Sequence, residues 1–443
     1  MVIDPTTTID STATFIMPSI TTTTMELGVP PVVPAKCARK SNVCLSAEEK
    51  AATAPVDNWY YPAVFANDLK DVDLPQKVKD EVVTTAFEYA RTVIPTYTNW
   101  KRYVAFMRTI IIGTIAEFRG NMVDVMAGDE MLGYNLTEVL DGLFAGTRGH
   151  TEMAREYRSF LLFTADKTSD RREDELFRRY VNALAGSPRN WFRLRETDAL
   201  ARFTIAAALA CNDLDDIWFT EQQFEIMCEI GDTLYDAIAF FKHRSEGETN
   251  NTFQYSHPEL RVAAVRQCRE VLWALDCAWV EKPELCVVTN FIRYFGGPLF
   301  VTMRRYRFIE DDCTIGNKET ADVVAQARQN RKLWNRIDEV ISENPGIERY
   351  HKALEAADVL MFEGQSDMLK AVDDPQCGKC ESHNTFGSNE LHTFGGVKLC
   401  DGCKGKWALY MEDLPRRAVK AFPEMNSPAV VGKIHKARIN GKQ

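Results

Sequence analysis

Residues 220–253 read TEQQFEIMCEIGDTLYDAIAFFKHRSEGETNNTF. Ile226, Ile230, Leu234, Ile238 and Phe241 recur at helical spacing, and Thr220 followed three residues later by Gln223 forms a capping-box start. A long, largely apolar helix over about 220–244 follows. Asp232 and Asp236, four apart, fall on one face of it. Carboxylates inside an apolar helix are costly unless they do something, so this segment ties the fold to a candidate site.

The surrounding pattern is helical too. Val78, Val82, Ala86, Tyr89 and Val93 repeat between Pro75 and Pro95, a helix start and a stop. A second helix begins near Asn99, and its span 103–115 is apolar nearly all round, the mark of a central buried helix. Further helical patterns cover about 151–164, 170–185, 197–211, 258–280, 284–295 and 318–341. Gly186-Ser187-Pro188, Gly296-Gly297-Pro298 and Asn344-Pro345-Gly346 read as turns. Alternating segments are few, so the expected fold is all-α, a multi-helix bundle over 57–370. Residues 1–56, rich in Thr, Pro, Val and Ala without a period, read as a disordered leader. Scarce Arg there weakens a transit-peptide reading.

The chain has 443 residues, net charge -10, 45% hydrophobic and 26% charged residues. The acidic balance disfavours wholesale nucleic-acid binding, and no stretch is long and apolar enough to span a membrane. Of the 12 cysteines, most are scattered singly through apolar stretches, which suggests buried thiols and a reducing, cytoplasmic setting. The other four form two C-x-x-C pairs, Cys377/Cys380 and Cys400/Cys403. That spacing predicts a closed tetrahedral zinc site with a structural role, within a module over 371–443.

Three acidic groups are candidates for magnesium. Glu117 and Asp124, with Asn121, share a face after the buried 103–115 run. Asp213 and Asp216 follow the apolar run ending at Cys211, where carboxylates oppose the helix dipole. Asp232 and Asp236 form the third. Converging carboxylates in a bundle suit hard divalent ions bridged to a diphosphate. The plain alternative is a solvated face or a helix cap.

Beyond Asp236, Lys242 and Gly247-Glu248-Thr249-Asn250-Asn251 resemble the second half of the metal motif of microbial class I terpene synthases. Tyr235, Ala239 and His243 stand where that motif's ligands belong. Arg304-Arg305-Tyr306 resembles the pair that grips the diphosphate there, and Arg189, Arg193 and Arg195 form another basic group. Trp59-Tyr60-Tyr61-Pro62, the 97–107 string YTNWKRYVAFM and the 209–221 string LACNDLDDIWFTE are similar to the fungal α-ionylideneethane synthases of abscisic acid biosynthesis. So is Gly231-Asp232-Thr233-Leu234-Tyr235-Asp236. This resemblance implies a lyase that takes farnesyl diphosphate, with Mg2+, to α-ionylideneethane through a neutral farnesene-type olefin that is reprotonated and cyclised. The acidic clusters and the shared helix face give Glu117, Asp124, Asp232, Asp236 and His243 as catalytic candidates, and the basic and motif residues Arg193, Lys242, Arg244, Asn250, Arg305 and Tyr306 as substrate-binding ones. Reprotonating an olefin needs an acid in a dry pocket. His243, sharing a face with Asp232 and Asp236, is the favoured donor; His150 and protonated carboxyls are others. Phe106, Tyr235, Phe240 and Phe241 are candidate cation-stabilising rings. A farnesene-type synthase that does not cyclise, and a non-catalytic helical zinc-finger interaction protein, are the competing readings.

Overall fold

The computed structural model describes residues 61–296, 321, 346–373, 377–381 and 393–426. The helices expected at 318–341, and Arg305 and Tyr306, lie outside the described residues, as does the leader. What is described is all-α apart from one two-stranded hairpin, Glu130–Met131 with Tyr134–Asn135, and an isolated bridge.

The first helix, α1, spans Gln76–Val93, and α2 spans Trp100–Ala116. Asn99 caps α2 by accepting the Arg102 N–H, and all but a few residues from Tyr103 to Ala116 are buried. Its axis is therefore covered on every side, as its apolar run requires. Next come α3 (Leu136–Phe144), α4 (His150–Lys167), α5 (Glu175–Leu184), α6 (Pro188–Asp198) and α7 (Ala201–Ala210). Then α8 spans Glu221–Glu246, 26 residues, and packs against α6, α7 and the later helices α9 (Arg261–Ala278) and α10 (Cys286–Tyr294). No helix among the described residues is long and apolar enough to cross a membrane.

The helix signals operate as their chemistry demands. Thr220 and Gln223 complete a reciprocal capping box at the start of α8, and Gly247, at φ 69°, ends it in the left-handed conformation. The motif glycine is thus first a helix stop. Ser187-Pro188, read as a turn, in fact opens α6: Ser187 accepts the Asn190 N–H and Pro188 takes the first helical position, where its missing N–H costs nothing.

After Gly346, α11 (Ile347–Glu355) and α12 (Gln365–Lys370) pack on α5, and α13 (Asp401–Glu412) and α14 (Leu414–Ala421) carry the chain back. The segment after the cysteines lies on the bundle: Arg417 pairs with buried Glu229 of α8 through two contacts of 2.7 Å, and Phe422 packs edge-on to Trp279.

The capping box is exposed, so Thr220→Ala should cost about 1 kcal/mol of stability in urea unfolding while leaving ligand-independent properties of the interior unchanged.

Candidate active site

The middle of α8 faces α6 across a buried ionic layer. Arg195 grips Asp236 with both arms, Nη2 to Oδ1 at 2.6 Å and Nε to Oδ2 at 3.2 Å. Asp236 Oδ2 also accepts the Thr252 N–H at 2.7 Å and its hydroxyl at 2.8 Å. Arg195 reaches on to Asp198 at 2.9 Å, and Asp198 to Lys167 at 3.3 Å. At the end of α8, Lys242 pairs with Glu246 at 2.9 Å. Burial works against the Lys242 ammonium, yet the carboxylates of Glu246 and Glu248 outweigh it and hold it above its ordinary value. Lys167 is likewise raised against burial by Asp198, Glu248 and Glu117.

Asp232, one turn before Asp236, is different. It is fully buried, and neither of its oxygens meets a hydrogen-bond partner among the described residues. Burial pushes its carboxyl well above the usual range; Arg195 pulls it down, and Asp236, Glu196 and Asp198 push it further up. A bare carboxylate there would meet no donor among the described residues, which favours its protonated form. The surrounding charge agrees. The cations Lys167, Arg195 and Lys242 are outnumbered by Asp198, Asp236, Glu246 and Glu248 even before Asp232 is counted. Beside it, Gly231 brings α8 so close to α10 that a Cβ would sit 3.1 Å from the Phe295 ring.

Asn251 orders the loop that follows. Its Oδ1 accepts the Phe253 N–H, so Nδ2 is the donor to the Asp236 carbonyl at 3.1 Å and to His243 Nδ1 at 3.0 Å. His243 Nδ1 is therefore an acceptor and its proton is on Nε2. Burial, then Lys242, Arg195 and Lys167, push the imidazole well below its ordinary pKa. It is neutral, a poor acid, and engaged in holding Asn251. His243, the expected proton donor, is thus engaged through Nδ1 by Asn251. Asn250 lies beside Asp198 and Tyr180.

The other candidates fall elsewhere. Glu117, just past the end of α2, is near Lys167 and thus borders the layer. Asp124 is bound to Arg349 at 3.1 Å, which also holds Asp166 of α4, so it braces α11. Asp213 accepts from Thr98 and Asn99, and its neighbour Asp215 clamps Arg102 at 2.5 Å. The Asp213–Asp216 turn thus ties the end of α7 to the start of α2 at the surface, away from the ionic layer. Arg193 is held by Glu156 at 2.7 Å and Glu196 at 2.8 Å, while Arg189 pairs with Glu225. Arg244 lies over the rings of Phe240 and Phe241. His150 sits 2.6 Å from Asp141. Among the aromatic candidates, Tyr235 touches both His243 and Phe295, and the Arg195 guanidinium lies over its ring. Lys167 and Asp198 carried no motif; only their burial at the ends of α4 and α6 reveals them.

The four cysteine sulfurs lie within 4.8 Å of one another, the one such group of three or more potential ligands among the described residues. Cys377 and Cys400 are 3.8 Å apart, far beyond a disulfide but equal to the edge of a tetrahedron with Zn–S bonds of about 2.3 Å. The Cys400 N–H donates to Cys380 Sγ at 3.4 Å. These residues fit a zinc ion.

Fold and site together define an all-helical protein with a buried ionic site and a four-cysteine module suited to a metal. Residues 57–424 match the alpha-ionylideneethane synthase aba3 family, and the chain belongs to it. It is 56% identical over 388 residues to alpha-ionylideneethane synthase aba3 of Botryotinia fuckeliana (strain B05.10), covering 85% of this chain and 88% of that one. Against alpha-ionylideneethane synthase abl3 of Leptosphaeria maculans the identity is 58% over 370 residues, 83% and 86% of the two chains. With the abl3 protein of Pyricularia oryzae (strain Y34) it is 48% over 431 residues, 83% of each.

The two aspartates should separate on mutation. Asp236→Ala leaves Arg195 short of its main partner inside the bundle and should cost about 3–5 kcal/mol. Asp232→Asn keeps the shape and cannot ionise. Because the folded pKa of Asp232 is raised, its contribution is full below the unfolded value, about pH 4, and is lost as pH rises above that. The stability of Asp232→Asn relative to wild type should therefore climb between about pH 4 and pH 8, read by denaturant unfolding across that range.

Proposed function

We propose that this protein converts farnesyl diphosphate to α-ionylideneethane with release of diphosphate, as part of abscisic acid biosynthesis. The family membership and the synthase names of relatives at 48–58% identity support this reading. They favour an enzyme over an interaction protein. The observation that carries the mechanism is Asp232, a carboxyl buried without a partner among the described residues.

Lys167 and Lys242, both close to Glu248, are the cations from which the diphosphate draws its charge compensation. Asn250 and Glu117 border that group. A protonated Asp232 offers no carboxylate to a magnesium ion, and Asp236 has no oxygen left after Arg195 and Thr252. Magnesium takes one or two protein carboxylates and fills its shell with phosphate and water. Glu248 and Asp198 are the carboxylates placed to hold it. Bound there, the ion would supply Lewis-acid help to the departing diphosphate.

The chain's own part is proton management. Loss of diphosphate and of one proton leaves a neutral, farnesene-type tetraene. Asp232 then delivers its Oδ–H proton to the terminal alkene carbon, forming a C–H bond and a tertiary cation. The neighbouring alkene closes a six-membered ring onto that cation, and proton loss from a ring carbon makes the new double bond. The carboxylate left on Asp232 recovers that proton, so the cyclisation is a net isomerisation. Water exclusion keeps Asp232 protonated and keeps the cation from being quenched. Tyr235, beside His243 and Phe295, presents a ring face suited to the cation. His243 acts by holding Asn251, with no proton transfer of its own.

Purified protein given farnesyl diphosphate and magnesium should release diphosphate and form α-ionylideneethane, seen by volatile analysis. Only acyclic tetraenes would favour the non-cyclising synthase, and no diphosphate release would refute both. Asp232→Asn should still release diphosphate but accumulate acyclic tetraene, with cyclised product down by about 100-fold or more, the scale of losing a general acid. Unchanged cyclisation would remove Asp232 from this role.

A further inference from the structure

The loop that completes the ionic site does not stand alone; the cysteine module holds it from outside. Residues 248–255 supply Glu248, Asn250, Asn251 and Thr252. Gly395, five residues before Cys400, donates its N–H to the Glu248 carbonyl at 2.9 Å. Gln254 returns a bond from its side-chain amide to the Gly395 carbonyl. Phe394 packs edge-on against Phe240, ring centres 5.4 Å apart. Four residues after Cys403, Trp407 stacks on Tyr255 at 5.0 Å and meets Trp191 at 6.0 Å. The Trp191 indole N–H donates to Thr252 Oγ1 at 3.2 Å, and that hydroxyl donates to Asp236. The Tyr255 hydroxyl ties the loop to itself at the Thr249 carbonyl, 3.2 Å away.

The fit is close. Gly396 has φ +78°, and a Cβ there would come within 3.2–3.4 Å of Gln254, Tyr255 and Thr249. Among its described residues, the module has little of its own to hold it. Its described backbone pairing is the Glu381–Lys398 bridge, two hydrogen bonds of 3.0 Å, with Val397 and Leu399 buried. So small a unit needs a metal or an equivalent staple to keep its shape. The sulfurs sit on both sides of the contact residues: Cys377 and Cys380 before Phe394–Gly396, Cys400 and Cys403 between those and Trp407.

We infer that zinc bound by Cys377, Cys380, Cys400 and Cys403 acts as a clamp on residues 248–255, with Phe394, Gly395 and Trp407 as positioning residues for the ionic site. The metal does no chemistry on substrate. It fixes residues 394–396 and the start of α13, which press the loop onto Asp236 and His243. The consequence for turnover rests on the proposed function above; the consequence for loop order does not.

Hydrogen exchange on the full-length, zinc-loaded protein tests this. Stripping zinc with a chelator, or the Cys400→Ser/Cys403→Ser pair, should speed amide exchange over 248–255 by about tenfold or more while α2 and α4 stay protected. Re-added zinc should restore the chelated protein. Since cysteine variants can misfold, Phe394→Ala/Gln254→Ala provides a second route. It should keep one zinc per chain and still loosen the loop, and kcat should fall more than KM changes. A loop that stays protected when only 377–403 loosens, or in the Phe394/Gln254 variant, overturns the clamp. A loosened loop with unchanged turnover overturns its link to catalysis and counts against the site assignment, not against the reaction.

Discussion

The bidentate Arg195–Asp236 pair is the interaction on which the interior depends. It joins α6 to α8, and through Thr252 it fastens the loop that follows α8. Two charges taken out of water repay their desolvation only when every lone pair and N–H is satisfied, and here Asp236 receives four donors. Once that pair is complete, the layout of the neighbours follows. Asp232, a turn away, meets no donor among the described residues, and burial raises its carboxyl. Asp198 shares Arg195 and draws in Lys167. Asn251 is aligned by the Asp236 carbonyl and passes that order to His243.

Much of the fold was legible because its signals are local. The capping box at Thr220, the all-round apolar run before Glu117, and Gly247 as a helix stop all act within a turn of where they stand. The cysteine pairs were legible for the same reason, since two C-x-x-C turns bring thiolates to one point. Local signals also misled. Ser187-Pro188 has the chemistry of a helix start, yet beside Gly186 it reads as a turn. The site was harder. Asp232 and Asp236 share a face by spacing alone, but their roles part because one meets Arg195, 41 residues away, and the other does not. Asp213 and Asp216 resembled metal ligands, while Asp213 is engaged by Thr98 and Asn99, more than 100 residues earlier. Pairing over such distances is a property of the packed bundle and leaves no mark in a single sequence.

The arrangement suits a reaction whose intermediates alternate between neutral and cationic. Charges needed for the diphosphate are kept at the loop end of α8, around Lys242, Lys167 and Glu248. Asp232, the proposed acid, lies nearly three turns back, next to Gly231, which approaches the Phe295 ring that Tyr235 also touches. Ionic and hydrocarbon chemistry are thereby separated along one helix. The cysteine module closes the ionic end from outside, so a segment remote in sequence contributes to site geometry without reaching the substrate.

The account turns on the proton held by Asp232. Infrared difference spectroscopy of the protein labelled with 13C-aspartate, wild type against Asp232→Asn, reports that proton directly. A protonated-carboxyl C=O band present at neutral pH in the wild type and missing from the variant is the predicted result. A wild type showing only carboxylate bands would contradict it, and with it the assignment of Asp232 as the acid that starts ring closure.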